Sequence, residues 1–375
     1  MPNRLDEIKQ KLRKEGYLVD PDNMEPYLKK FEGIKFKDLT KPEYWKDSRV
    51  FITGISGFVG SHLTDKLLEF GAKVGGLIRR HSVPEYPNIK HVMEKITTFE
   101  GDLKYLDPII VAFRKFEPEY VFHLGAQSFV PTSIRNPIET YETNVIGTSN
   151  VLEAVRILDG ISIEAVQMAC SSEQYGRVYI DELPIKETNP IRPLSPYAAS
   201  KQACEHICLT HFENYKIPVR ITRGFNHTGA RRGLQFVTSV ITRQIARAKN
   251  SDNKKIIIGN PAPVRDFTDV RDILQGYLLS VEKGKNGDIV NLGHGAGISI
   301  GDLVILSARV ANLEKYDLII DKSRFRKADV EVLICDYSKA KKEYGYYPQL
   351  PIIKSIKDSI EYFEKNPRLM YMERH

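Results

Sequence analysis

The chain is short of cysteine, of long apolar runs and of repeats, and each shortage removes a class of protein. Four cysteines in 375 residues, at 170, 204, 208 and 335, form no disulfide framework and fit a reducing compartment. Cys204, Cys208 and His211 share one helical face, but the chain has no Cys-x-x-Cys and no fourth ligand nearby. Ordinary core cysteines are therefore expected, and no metal. No stretch approaches the length of an apolar membrane span, and the opening MPNRLDEIKQKLRKEG is charged where a secretory leader needs an apolar core. A cytoplasmic protein with no membrane partner is expected. There is no internal repeat and no low-complexity tract.

The rest of the composition is ordinary for a globular chain, with 42% hydrophobic and 27% charged residues. The length exceeds what a single core usually organises, which predicts one large domain with a smaller lobe built onto it. The formal charge of +7 favours anionic partners, yet the basic residues are spread along the chain and mixed with acids. Nucleic acid is not expected; phosphorylated small molecules are compatible with this distribution.

Residues 1–47 are polar, with Leu5, Ile8 and Leu12 spaced along one helix face, and read as an appendage serving packing or oligomer contact. From Arg49 the pattern alternates. RVFITG, KVGGLI, ITTFEGD, EYVFHLG and ISIEAVQMA read as strands; SHLTDKLLEFG, YLDPIIVAFRKF, residues 139–158 and Pro196 to Tyr215 read as helices. Repeated strand–helix alternation predicts an α/β fold, a Rossmann-type doubly wound parallel sheet over residues 48–225. Beyond VRITRGFN the alternation loosens, and residues 226–375 read as a smaller C-terminal α/β substrate-binding lobe, some segments of which return to the first domain.

TGISGFVG places Gly54, Gly57 and Gly60 directly after a strand and before a helix. Gly54 permits the tight turn, Gly57 lets backbone approach a pyrophosphate, and Gly60 lets helix pack on strand. Ser56, Phe58 and Val59 belong to the same cofactor turn. The second strand ends LIRRHS, so Arg79 and Arg80 stand where an NAD-preferring fold places a carboxylate. Two guanidinium groups suit a 2′-phosphate, and NADP is expected; a solvated pair of arginines is the competing reading. By the strand-end rule, Asp102 and Leu103 lie against the adenine, and Leu124, Gly125, Ala126 and Ser128 of LGAQS line the cofactor, with Gln127 and Ser128 facing the substrate.

PYAASK sets Tyr197 and Lys201 four residues apart on a helix. That spacing stacks an ammonium beside a phenol, lowers the phenol's pKa and makes Tyr197 a base usable near neutrality. With the glycine turn upstream and Ser171 at a strand end between them, the chain resembles the extended short-chain dehydrogenase/reductase family over residues 49 to about 365. Within it the chain is similar to GDP-mannose 4,6-dehydratases, through LIRRHS, GAQSFV, FNHTGARRG and RKADVEVLICDYSKAKKEYG, and to GDP-4-keto-6-deoxymannose reductases, through GNPAPVRDFTDVRDI and FNHTG.

The resemblance implies that Ser171 hydrogen-bonds the sugar C4 oxygen, Tyr197 is the base and Lys201 holds the nicotinamide ribose. It implies that Asn226, Arg265 and Arg326 contact the nucleotide-sugar or its diphosphate, and that Arg79 and Arg80 lie on a loop reaching a neighbouring subunit, hence a homo-oligomer, dimer or tetramer. Three departures stand out: threonine is usual where Ser171 stands, proline is usual at Ala230 and Lys327, and residues 1–47 lie outside the resemblance.

Glu173, in CSSEQYG, separates the reactions open to such a site. A dehydratase needs an acid–base group at C5 and C6; an epimerase or a simple reductase does not, although the reductases of this neighbourhood also carry a glutamate there. The expected reaction is NADP-dependent 4,6-dehydration of a GDP-linked mannose or related manno-configured sugar. GDP-4-keto-6-deoxymannose reduction, nucleotide-sugar epimerisation and a non-catalytic NADP-binding regulator remain alternatives. If the strand continues past Ser171, alternation turns Ser172 away and returns Glu173 to the Ser171 side.

Overall fold

The short runs rich in Val, Ile and Phe between the helices form seven parallel strands: β1 (Arg49–Thr53), β2 (Lys73–Ile78), β3 (Thr97–Glu100), β4 (Tyr120–His123), β5 (Ala165–Ser171), β6 (Val219–Gly224) and β7 (Ile289–Leu292). They lie in the order β7-β6-β5-β4-β1-β2-β3, every neighbouring pair parallel. The structure, a computed structural model, describes residues 4–20, 23, 36–80, 85–158, 160–326 and 328–372, without the side chains of residues 4 and 5. Leu5, His81, Ser82 and Lys327, singled out in the sequence, therefore lie outside the described side chains.

Period-two alternation sends side chains of each central strand to both faces. Val50 and Ile52 point to one core, with Leu63 and Leu67 of the helix Phe58–Glu69 and Leu274 and Leu278 of the helix Val270–Lys283. Phe51 points to the other, with Phe113, Val151 and Cys204 from the helices Leu106–Phe116, Gly147–Ile157 and Pro196–Tyr215. This is the doubly wound sheet that strand–helix alternation predicts. Its strand order reverses between β1 and β4, whose carboxyl ends open onto a common crevice.

Two local differences from the sequence reading have physical reasons. The strand expected over ISIEAVQMA begins only at Ala165, because its partner β4 begins at Tyr120 and the pair starts in register there. The helix expected across 139–158 is interrupted by a π-helical turn at Glu142–Ile146 between the helices Pro137–Tyr141 and Gly147–Ile157.

Residues after 225 build a second sheet, in which the strand Val264–Asp269 is flanked by Gly297–Ser299, Val332–Leu333 and Asn226–Thr228. The helices Val237–Lys249, Ile300–Val310 and Ile352–Lys365 close a separate core over it. The segment from Val270 to Leu292 returns to the large sheet, as helix and then β7. At the amino-terminal end, residues 36–47 do more than append: Trp45 is fully buried against Tyr120 and Phe122, and its indole donates to Glu282 Oε1 at 2.8 Å. Among the described residues no helix is long and apolar enough to cross a membrane.

Candidate active site

A cleft of about 1550 Å³ runs between the carboxyl ends of the large sheet and the second sheet. That exceeds the roughly 300–1,000 Å³ of a single small-molecule pocket and leaves room for two ligands end to end. Every site residue proposed from the sequence lines it except Arg80.

At one end, Gly54 turns the chain with φ +73°, and a Cβ there would lie 2.9 Å from Gly125 Cα. A Cβ on Gly60 would lie 2.2 Å from Gly54 O, so the turn closes tightly only on glycine. The helix Phe58–Glu69 starts at Gly57 with no side-chain cap, and first-turn N–H groups of such a helix suit an anion. An uncapped helix start behind a glycine turn fits the diphosphate of a dinucleotide, and these residues suit that group. Arg79 lines the cleft beside Asn88, whereas Arg80 is exposed and outside the lining. One guanidinium, not the predicted pair, thus faces the cleft. Asp102 caps its own turn through Lys104 N at 3.0 Å, and Leu103 is buried next to it.

The LGAQS stretch is fixed from behind. Asn144, in the π-helical turn, accepts from Gln127 N at 2.8 Å and donates to Gln127 O at 3.0 Å and to Ser200 Oγ at 2.8 Å. Ser200 in turn donates to Tyr197 O at 2.7 Å, so one buried amide ties the loop to the helix of the proposed base. Cys204 and Cys208 are packed in the core, Cys204 bonding Asn144 O at 3.1 Å, and His211 Nδ1 is bonded to Ile207 O; none of the three faces another as a ligand would.

Ser171 ends β5, and its hydroxyl acts on the Tyr197 phenol. Lys201 Nζ donates to Ala169 O at 2.7 Å. Burial holds Tyr197 above the ordinary phenol value; Lys201 and the Ser171 hydroxyl pull it back without cancelling that rise. The lowered pKa expected from the Tyr–Lys spacing is therefore outweighed by desolvation.

Glu173 also departs from the alternation argument. The strand stops at Ser171, and residues 172–175 form a 3₁₀ turn capped by Ser171 itself: its Oγ accepts from Glu173 N at 3.2 Å, while Gln174 Oε1 accepts from Ser171 N at 2.9 Å. Glu173 reaches the cleft on that turn, and its charge acts on both Tyr197 and Arg265.

At the other end, Asn226 Oδ1 lines the cleft, buried and without a hydrogen-bond partner among the described residues, which is what a ligand donor would satisfy. Arg265 donates to Val264 O at 2.9 Å and to Asp329 Oδ1 at 3.1 Å, and burial lowers its pKa. Arg326 shares Asp329 Oδ1 at 3.4 Å. Two forks on one carboxylate leave donor groups for an anionic ligand.

The sequence reading did not single out Arg232. Its guanidinium lies over Phe236 at 4.0 Å and Phe58 at 5.0 Å, and burial lowers its pKa to about 10 against the pull of Tyr197 and Tyr277. The doubled arginine in FNHTGARRG was the available signal. Asn144 and Asp329 carried no signal beyond their polarity.

A family model described as GDP-mannose 4,6 dehydratase matches residues 51–359. The GDP-mannose 4,6-dehydratase of Vibrio cholerae serotype O1 is 31% identical over 344 residues, covering 82% of this chain and 91% of that protein. The GDP-6-deoxy-D-mannose reductase of Pseudomonas aeruginosa is 30% identical over 321 residues, covering 85% of this chain and 98% of that protein. The solved structure of RMD from Pseudomonas aeruginosa complexed with NADPH has a TM-score of 0.73 at 29% identity, covering 85% of this chain and 99% of that chain.

Proposed function

The chain belongs to the GDP-mannose 4,6-dehydratase family of extended short-chain dehydrogenase/reductases, and from that premise we propose that it dehydrates a GDP-linked mannose, or a related manno-configured sugar, across C5 and C6 with NADP as cofactor. The observation that carries the reading is Glu173, brought by its capped turn into the same cleft as Ser171 and Tyr197.

The glycine turn and the start of the helix Phe58–Glu69 would hold the cofactor diphosphate, Arg79 the 2′-phosphate, and Lys201 the nicotinamide ribose. When bound, the nicotinamide supplies a reversible two-electron acceptor. Ser171 holds the C4 oxygen, and Tyr197 takes the C4 hydroxyl proton as that carbon is oxidised to the ketone. The ketone acidifies the C5 hydrogen, because the resulting carbanion is an enolate. Glu173 removes that proton and delivers one to the departing C6 hydroxyl, so water leaves. C6 is then reduced, C5 is reprotonated, and the product is a GDP-4-keto-6-deoxy sugar. Arg265 and Arg326 bind the substrate diphosphate, and Asn226 satisfies its orphaned oxygen on the nucleotide-sugar.

Reduction of a GDP-4-keto-6-deoxy sugar is the competing reading, favoured by the match to the Pseudomonas reductase, which covers 85% of this chain. One assay separates the two. Purified protein given GDP-mannose and catalytic NADP⁺ should accumulate a 4-keto product with no net NADPH; a reductase would consume NADPH only when supplied with the 4-keto sugar. Replacing NADP⁺ by NAD⁺ should slow the reaction. Equal rates with the two would overturn the assignment of the 2′-phosphate to Arg79.

A further inference from the structure

We propose that residues 4–19 are a positioning brace for the substrate end of the cleft, setting Arg265 and the segment that follows the Glu173 turn. This inference rests on the proposed function. The family match begins at residue 51, so nothing it covers accounts for these residues.

The helix Arg4–Lys14 is amphipathic, and Ile8 and Leu12 are buried with Leu18 in a small cluster of their own. The other members come from two directions. Val264 and Val332 belong to the second sheet and Ile334 directly follows its strand Val332–Leu333, while the partly buried Ile180 and Leu183 belong to the segment that leaves the Ser172–Tyr175 turn. The brace thus packs at once on the second sheet beside Arg265 and on the segment that follows the Glu173 turn. It is also hydrogen-bonded in place: Gly297 N donates to Tyr17 O at 2.7 Å and Val19 N to Gly297 O at 2.9 Å, which adds Tyr17–Val19 as an edge to the strand Gly297–Ser299. That strand pairs antiparallel with Val264–Asp266, placing Ile298 opposite Arg265.

Val264 links this packing to the proposed chemistry. Its side chain is fully buried in the cluster, its carbonyl accepts from Arg265 Nη1 at 2.9 Å, and Arg265 is the next residue. Removing the cluster's support frees the strand at the residue whose guanidinium is aimed at the substrate diphosphate. No cluster residue itself lines the cleft; Arg265, next to Val264, does so at the substrate end, and none of the lining residues at the cofactor end adjoins the cluster. Loss of the brace should therefore weaken one ligand and spare the other, which a general loss of stability would not do.

The test uses the full chain carrying Leu12→Asp, with Lys14→Asp on the exposed side of the same helix as control. Calorimetric titration with GDP-mannose should show affinity about tenfold weaker for Leu12→Asp, equivalent to about 1.4 kcal/mol. NADP⁺ affinity should change less than twofold, and Lys14→Asp should match the parent protein. In turnover, KM for GDP-mannose should rise while kcat holds. If Leu12→Asp does not fold, Leu12→Ala should give the same split between ligands at about threefold. Unchanged GDP-mannose affinity, or parallel loss of both ligands, overturns the brace. A parent protein that binds NADP⁺ but no GDP-mannose overturns the proposed substrate, and this inference with it.

Discussion

Glu173 and Tyr197 answer different questions about the reaction, and their variants should fail differently. Tyr197→Phe should lower turnover by at least ~100-fold with no reduced cofactor formed, since the first oxidation lacks its base. Glu173→Gln should spare that oxidation and block elimination, so NADPH absorbance rises to about one equivalent per site and stays; dehydration near the normal rate would remove Glu173 from the mechanism. The Tyr197 environment adds a pH prediction. A base held above its usual value by burial is mostly protonated at neutrality, so log kcat/KM should climb with pH toward that raised value. Lys201 pulls the phenol down, so Lys201→Met should move the rising limb to still higher pH. The glycine turn and the Tyr–Lys pair were legible because their geometry is local, set by a turn or by one helical turn of spacing. Arg232, Asn144 and Asp329 were not, because each acquires its role from a distant segment: Arg232 from the Phe58 ring far up the chain, and the other two through the Asn144–Gln127 and Asp329–Arg265 pairs, 17 and 64 residues apart.

The turn after β5 shows what alternation cannot foresee. Ser171 ends the strand by capping the turn that follows, and the Ser-x-x-Gln pattern from 171 to 174 is a capping-box signature that was present in the sequence. Behind the turn, Gln174 Nε2 donates to Glu205 Oε2 at 3.1 Å, and Arg223 grips the same carboxylate with two bonds at 2.8 and 2.7 Å. Arg223 also donates to Tyr175 OH at 2.9 Å, so both residues following Glu173 are anchored to one buried ion pair. Breaking such a pair leaves an uncompensated buried charge. Glu205→Ala should cost about 3 kcal/mol in denaturant unfolding and lower the rate of elimination more than that of C4 oxidation. A loss below ~1 kcal/mol would show that the pair is relaxed by solvent.

For the molecule as a whole, strand–helix alternation foretold the large parallel sheet, whereas no local pattern foretold how long a stretch of chain beyond residue 225 returns to it. The helix and β7 between Val270 and Leu292 come back because the apolar face of the helix fits the core around Leu63 and Val74, a match no local pattern displays. The exposed Ile138, at 66%, and Ile146, at 49%, lie on the run of helical turns beside the cleft. We propose that this face is covered by a second copy of the chain. Light scattering should then give two or four times the 42.8 kDa chain mass, and Ile138→Asp with Ile146→Asp should reduce it to one; a monomeric parent protein would remove the proposal.

Trp45 is the sole tryptophan of the chain, fully buried among Tyr44, Tyr120 and Phe122. The protein therefore contains a single tryptophan reporter, seated against the central strand β4 and outside the Ile8–Leu12–Leu18 cluster. Its emission should stay blue-shifted when the amino-terminal helix alone lets go, and move to the red only when residues 36–47 leave the sheet. Fluorescence and ligand titration on one sample can then time these two departures separately.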